Sequence, residues 1–229
     1  MMEEKKSMEN NQTPDNKEGK ERILEIKEAG LEDVLGIISV LKENLLPMEL
    51  LDKEKRDFYL KSVGKKIEDF SEKGFLVNSF SEEDLENVIS DKEKHIILVA
   101  KKNDEIVGYA LTYDLEAWRE RKPDWEKTVE LINKTEGQMF ENKKVLYFRH
   151  IATKQFPKNK GIGATLEYKI FSAAKQKGYK EIIGEALEYP IENKASIDFH
   201  RKIGFKKIGT VKESKNDLIW GLYKKDLES

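Results

Sequence analysis

"KNKGIGATL", residues 158–166, sets two glycines one residue apart at the point where a helix should begin. A strand-like run dense in apolar residues, "KVLYFRHIAT" (144–153), precedes it. A helical pattern follows, in which Ile162, Leu166, Ile170 and Ala173 or Ala174 share a face and Gly178 stands at the C-terminal cap. "YKEIIGEAL" (179–187) reads as the next strand, so the unit 144–187 predicts a right-handed parallel crossover. Two explanations of the glycines stay open. One is a tight turn. The other is close approach of an anion to the unpaired N–H groups at the start of a helix, where the absence of a Cβ leaves room. Lys158 and Lys160 would add positive charge beside it. Neither GxxxxGK[ST] nor GxGxxG is present, the third glycine of the latter being replaced by Leu166. A diphosphate carried by something other than a mononucleotide fits better.

Outward from this unit, the apolar period changes twice. "RILEIKEAG" (22–30) predicts a strand, and 31–46 a helix with Leu31, Val34, Leu35, Ile38, Leu41 and Leu45 on one face. Residues 52–72 read as helix, and "SEEDLENVI" (81–89) opens on Ser81 with Asp84 three residues on, close to a capping box. "KHIILVAKK" (94–102) and "EIVGYALTYDL" (105–115), joined by a short polar turn, predict an antiparallel hairpin. Residues 116–140 read as helix and loop. After 187 come a short helix, "NKASIDFHRK" (193–202), and two closing strands in "FKKIGTV" and "DLIWGLYKK". The expected fold is one α/β (α+β) domain over 21–229, a mixed sheet with helices. Residues 1–20 carry methionine as their only large apolar residue, which predicts a disordered polar tail.

Composition narrows the function. The 42 basic and 44 acidic residues nearly cancel, which gives no electrostatic case for nucleic acid or an anionic membrane. No apolar run approaches the roughly 20 residues of a membrane span. There is no cysteine, hence no thiolate metal site and no cysteine nucleophile, and three histidines without an HxxxH pair give no metal signature. A cytoplasmic location is the expectation.

Two motifs carry a family resemblance. Lys158-Asn159-Lys160-Gly161-Ile162-Gly163-Ala164 is similar to the Arg/Gln-x-x-Gly-x-Gly/Ala signature of the GNAT superfamily of acyl-CoA-dependent N-acyltransferases. "NKASIDFHRKIGF" resembles that family's later segment through Asn193, Ala195, Ser196, Phe199, His200, Gly204 and Phe205. The likeness spans about 22–226 and is strongest from 144 to 226. It implies a mostly antiparallel sheet with a central splayed parallel pair and helices on both faces. It implies helical insertions near 47–93 and 116–143.

The resemblance also implies site roles. The CoA pyrophosphate would lie on the amides of Lys158, Asn159, Lys160, Gly161, Ile162, Gly163 and Ala164. The pantetheine arm would pair with the backbone of Ile151, Ala152 and Thr153, near Asn193 and Phe199. An amine would attack the thioester of acetyl-CoA directly, with no metal. His200 stands where the family often has a tyrosine that protonates the thiolate. The inward positions on the strand before the glycines are Tyr147 and Arg149, neither an ordinary base, and Glu185 on the neighbouring strand is another candidate. Arg149 could alternatively bind a substrate carboxylate. By strand alternation His150 faces away, unless a bulge reverses it. Trp118, Trp125, Tyr113 and Phe140 could line an acceptor pocket, and "RERK" (119–122) could attract an acidic substrate. An acyl-CoA-binding module without catalysis is the competing expectation. The closing strands, if exposed, would invite a homodimer.

Overall fold

The computed structural model describes residues 24–138, 141, 144–155, 161–213 and 216–228. The polar tail expected over 1–20, Phe140 and the lysines at 158 and 160 lie outside them. Eight strands form one sheet: β1 (Leu24–Glu28), β2 (His95–Lys102), β3 (Glu105–Asp114), β4 (Val129–Leu131), β5 (Val145–Thr153), β6 (Glu181–Tyr189), β7 (Lys206–Glu213) and β8 (Leu218–Asp226). Their spatial order is β1-β2-β3-β5-β6-β8-β7-β4. Every neighbouring pair is antiparallel except β5 and β6, the crossover unit around the glycines. Among the described residues no helix is long and apolar enough to cross a membrane.

Strand alternation divides the core between the two faces. Ile97 and Val99 of β2, with Val145 and Tyr147 of β5, face helices α1 (Val34–Asn44), α4 (Glu82–Ser90) and α5 (Leu115–Arg121). Ile96, Leu98 and Ala100, with Leu146 and Phe148, face α6 (Ile162–Gln176) and α7 (Lys194–Lys202). Helices α2 (Lys53–Val63) and α3 (Ile67–Ser71) bury no residue fully. They lie instead over a small third cluster around Leu50, Phe75 and Leu187.

Local signals account for most boundaries. Ser81 Oγ accepts from the Asp84 N–H at 3.1 Å and Asp84 returns the bond, closing the capping box of α4. Asn103 and Asp104 both take positive φ, 51° and 65°, which fits a two-residue hairpin turn between β2 and β3. Helix 31–46 begins later than its spacing suggests. Leu31–Asp33 form a 3-10 turn, so α1 sets its register from Val34 and buries Val34, Ile37, Ile38 and Leu41. Leu31 and Leu35 are left on the surface. β4 was not legible as a strand, since three residues are too few to show a period. It pairs with β7 and covers it, so neither closing strand is an edge of the sheet.

One buried group departs from core logic. Glu167, on the inner face of α6, is 1% exposed, and among the described residues neither carboxylate oxygen has a hydrogen-bond partner. Burial pushes its carboxyl up to about 8, against a weaker pull from Lys225. The folded state therefore holds this proton where the unfolded chain releases it, and stability falls as pH rises from about 4.5 towards 8. Glu167→Leu is expected to stabilise the protein, by roughly 2–3 kcal/mol more at pH 7 than at pH 5. Thermal melts of both proteins at the two pH values check this, and an equal gain at both would contradict it.

Candidate functional site

The two glycines serve different ends. Gly161 is the N-cap of α6 with φ of 90°, a left-handed conformation, and a Cβ built on it would meet nothing within 4 Å among the described residues. Backbone geometry alone demands glycine there. Gly163 lies inside the helix, and its added Cβ would come no nearer than 3.9 Å to Ile151 and 4.0 Å to Phe199. Among the described residues no atom forbids a side chain at 163, which borders a cavity. The first bond of the helix among the described residues runs from Thr165 N–H to Gly161 O at 3.0 Å, and the N–H groups of Ile162, Gly163 and Ala164 precede it in the first turn, which lacks intrahelical acceptors. The Ile162 side chain is buried in the core. Lys158, Asn159 and Lys160 lie outside the described residues.

The cavity beside Gly163 follows from the sheet. β5 and β6 pair only from Val145/Glu181 to Phe148/Gly184, and beyond that point they part. The gap has a volume of about 310 Å³. Its roof is the segment Lys73–Asn78, tied down by Leu46 N–H to Leu76 O at 2.8 Å and by Asn193 Nδ2 to Phe75 O at 2.8 Å. The freed flank of β5 exposes alternate peptides. The Lys154 N–H donates to Val107 O on β3, while Asn44 Nδ2 donates to Thr153 O from the cavity side. Alternation then gives the Ile151 and Thr153 amides to the gap and that of Ala152 to β3. Asn193 lines the gap, but its side chain also caps α7, accepting from Ser196 N–H at 3.2 Å.

A bulge sits at the critical place on β5. Leu111 pairs with His150 and Thr112 with Phe148, so Arg149 is the extra residue. Both Arg149 and His150 therefore share the face of Tyr147. Arg149 lies over the Trp118 ring at 5.0 Å, and His150 stacks on Phe80 with its Nδ1 3.2 Å from the Tyr109 hydroxyl. The alternation expected for His150 is reversed. Burial, with Arg149 adjacent, holds the His150 ring well below its ordinary value.

Glu185 is the carboxylate at this place. It sits one residue past the last parallel pair, and Trp125 Nε1 donates to its Oε1 at 2.6 Å. The Tyr147 hydroxyl lies within hydrogen-bonding reach of both Glu185 and Arg149, and its ring stacks on Trp118 at 4.1 Å. Burial raises the Glu185 carboxyl above the usual range, opposed by Trp125, Arg149 and Tyr147. Burial and Glu185 together keep Tyr147 a neutral phenol. A second cavity of about 260 Å³, walled by Trp118, Trp125 and Trp220, opens on the other side. Arg149, Glu185, Trp220 and Asn78 border both cavities. Trp220 and Asn78 carried no sequence signal, because only tertiary pairing brings β8 and the Lys73–Asn78 roof to this point. Tyr113 packs instead against His95 and Trp118. Within "RERK", Arg119 pairs with Glu116 and Glu126, and Arg121 lies over Tyr113.

His200 is buried among Phe148, Phe199, Phe205 and Tyr223. Its Nδ1 is 2.7 Å from the Ser196 carbonyl, so the ring proton sits there and Nε2 is bare. Burial lowers its pKa, leaving a neutral ring with no proton directed at the gap. This argues against the proton-donor role that the motif position implies. His200→Phe is expected to keep turnover within about threefold, since the contacts are those of an aromatic wall; general acid catalysis would cost 100-fold or more. Steady-state rates decide between them.

Comparison with known proteins agrees with this geometry. Residues 63–205 match the Acetyltransferase (GNAT) family. No curated protein matches the chain. Among solved structures, the fold is similar to the PaiA N-acetyltransferase of Thermoplasma acidophilum in complex with coenzyme A (17% identity, TM-score 0.51, 89% of this chain and 99% of that one). It is similar to an N-acetyltransferase of Staphylococcus aureus (17%, TM-score 0.53, 90% and 99%). It is also similar to the ribosomal-protein-S18-alanine N-acetyltransferase of Escherichia coli (10%, TM-score 0.53, 90% and 94%). At these identities the likeness is one of fold.

Proposed function

This chain belongs to the Acetyltransferase (GNAT) family and is an acyltransferase, and on that premise we propose that it moves an acetyl group from acetyl-CoA to a primary amine where its two cavities meet. The observation that carries the reading is the position of Glu185, a carboxylate bordering both the strand gap and the second cavity. The pyrophosphate lies on the amides at the start of α6, beside Gly163. The pantetheine arm occupies the gap and pairs with the freed flank of β5 at Ile151 and Thr153. The thioester then reaches the bulge, where a β5 amide holds the carbonyl oxygen as negative charge develops on it.

The amine enters from the second cavity and gives a proton to Glu185, whose carboxyl burial makes more basic than an ordinary one. Nitrogen bonds to the carbonyl carbon, the carbon–sulfur bond breaks, and the thiolate takes a proton from solvent as it leaves. Tyr147 holds Glu185 and Arg149 in place. Glu185 is also what favours turnover over an acyl-CoA-binding module without catalysis, since such a module needs no carboxylate at the thioester.

The test is thiol release from acetyl-CoA with a panel of primary amines, alongside calorimetry with acetyl-CoA, CoA and ATP. Amine-dependent release, with acetyl-CoA bound and ATP not bound, is the expected result. Binding without release from any amine would favour the binding module. No binding at all would remove the assignment.

A further inference from the structure

We propose that the second cavity takes a free α-amino acid with an apolar side chain, its carboxylate on Arg149 and its amine against Glu185. The proposal rests on the acetyl-transfer reading above and specifies its acceptor.

Arg149 is a half-buried cation, and among the described residues no carboxylate comes within ion-pair distance of it. Its contacts are the face of Trp118 and the hydroxyl of Tyr147. Glu185 and Arg149 feel each other's charge without forming an ion pair among the described residues. A guanidinium with its fork open at the end of a cavity matches an incoming carboxylate, which it can hold by two parallel bonds. Alternation already puts Arg149 on the Tyr147 face, and the bulge beside it turns only His150 to join it.

The neighbouring charge fixes where the amine goes. At the junction of the cavities, Arg149 and Glu185 present one positive and one negative group about a shared tyrosine. A zwitterion with amine and carboxylate on one carbon satisfies both. A diamine would place a second cation beside Arg149. A peptide or protein N-terminus would offer an amide where the carboxylate should be. The rim adds little net selection, since Arg121 and Lys122 are offset there by Asp124 and Glu213, with Asp124 paired to Lys127 at 2.7 Å and Arg121 drawn over Tyr113. The side chain takes its place in the rest of this cavity, about 260 Å³ in all, between the indoles of Trp118, Trp125 and Trp220. This is a wall for aliphatic or aromatic groups.

The reaction balances. An ammonium acid and acetyl-CoA give the N-acetyl amino acid, free CoA thiol and one proton to solvent.

The experiment is thiol release from acetyl-CoA with the twenty standard amino acids. It includes the decarboxylated amine and the amide of leucine, phenylalanine and tryptophan, and spermidine as a cationic control. Apolar amino acids are expected to exceed their own amines and amides by about 100-fold in kcat/KM. In Arg149→Met the KM for the best amino acid should rise about 100-fold, with a much smaller change in kcat and in the rate on its amide. Arg149→Lys should recover part of the loss. Equal or better rates with amides, amines or spermidine would overturn this proposal while leaving acetyl transfer standing. Release with none of them, though acetyl-CoA binds, would overturn both.

Discussion

Gly163→Val is expected to abolish acetyl-CoA binding, by about 1000-fold or more, while the protein folds and melts much as before. The two halves of this result have separate causes. Valine at an early helical position costs the fold little, because glycine is already the poorer helix former. The built Cβ also has at least 3.9 Å to its nearest protein neighbours. The loss falls on the ligand, whose pyrophosphate must come against the amides that the valine methyls would cover. A factor of 1000 is roughly 4 kcal/mol, a reasonable loss for a diphosphate held off several N–H donors. Gly161→Ala is the contrast. Its φ of 90° makes any Cβ costly, about 1–2 kcal/mol, though no atom of the described residues stands in the way. Stability should drop in that variant. Calorimetry and thermal melts on the pair therefore separate a ligand cradle from a turn. Tight acetyl-CoA binding by Gly163→Val would reduce both glycines to parts of a turn.

That contrast marks how far the sequence could be read. The spacing of "KNKGIG" located the strand-to-helix junction, but only the backbone distinguishes a glycine kept for φ from one kept for room. Periodicity found every strand of five residues or more, because each buries at least one alternating face. It failed at Val129–Leu131, too short to alternate, and at Leu31 and Leu35, where a 3-10 turn shifted the helix register. The site was legible as a set of residues and not as an arrangement. His150 was assigned to the far face by a rule that one inserted residue overturns. His200 matched a motif position, yet its proton is committed to the Ser196 carbonyl, a bond no spacing reveals. Glu185 was a lesser candidate because a strand carboxylate is ordinary until Trp125, Tyr147 and two cavities are seen to converge on it.

Glu185→Gln is expected to lower kcat about 1000-fold with little change in acetyl-CoA affinity, within the range that loss of a general base causes. The carboxylate borders the gap where it meets the second cavity, away from the proposed pyrophosphate cradle at the start of α6, so donor binding has no reason to follow. The pH profile gives the stronger test. A base works only when ionised, and burial raises this carboxyl above its ordinary value of about 4.5. The wild-type rate should therefore fall on the acid side at a pH above 4.5, and the glutamine variant should lack that limb. Trp125→Phe adds a directional check. The indole N–H, 2.6 Å from Oε1, favours the ionised form. Removing it should move the acid limb to still higher pH, while a phenyl ring keeps most of the wall. Three outcomes would exclude Glu185 as the base: an unchanged kcat, an acid limb that persists in the glutamine variant, or a limb that moves down in Trp125→Phe. A water chain would then have to carry the proton past Tyr147, because burial keeps the neighbouring imidazole of His150 too weakly basic to take it.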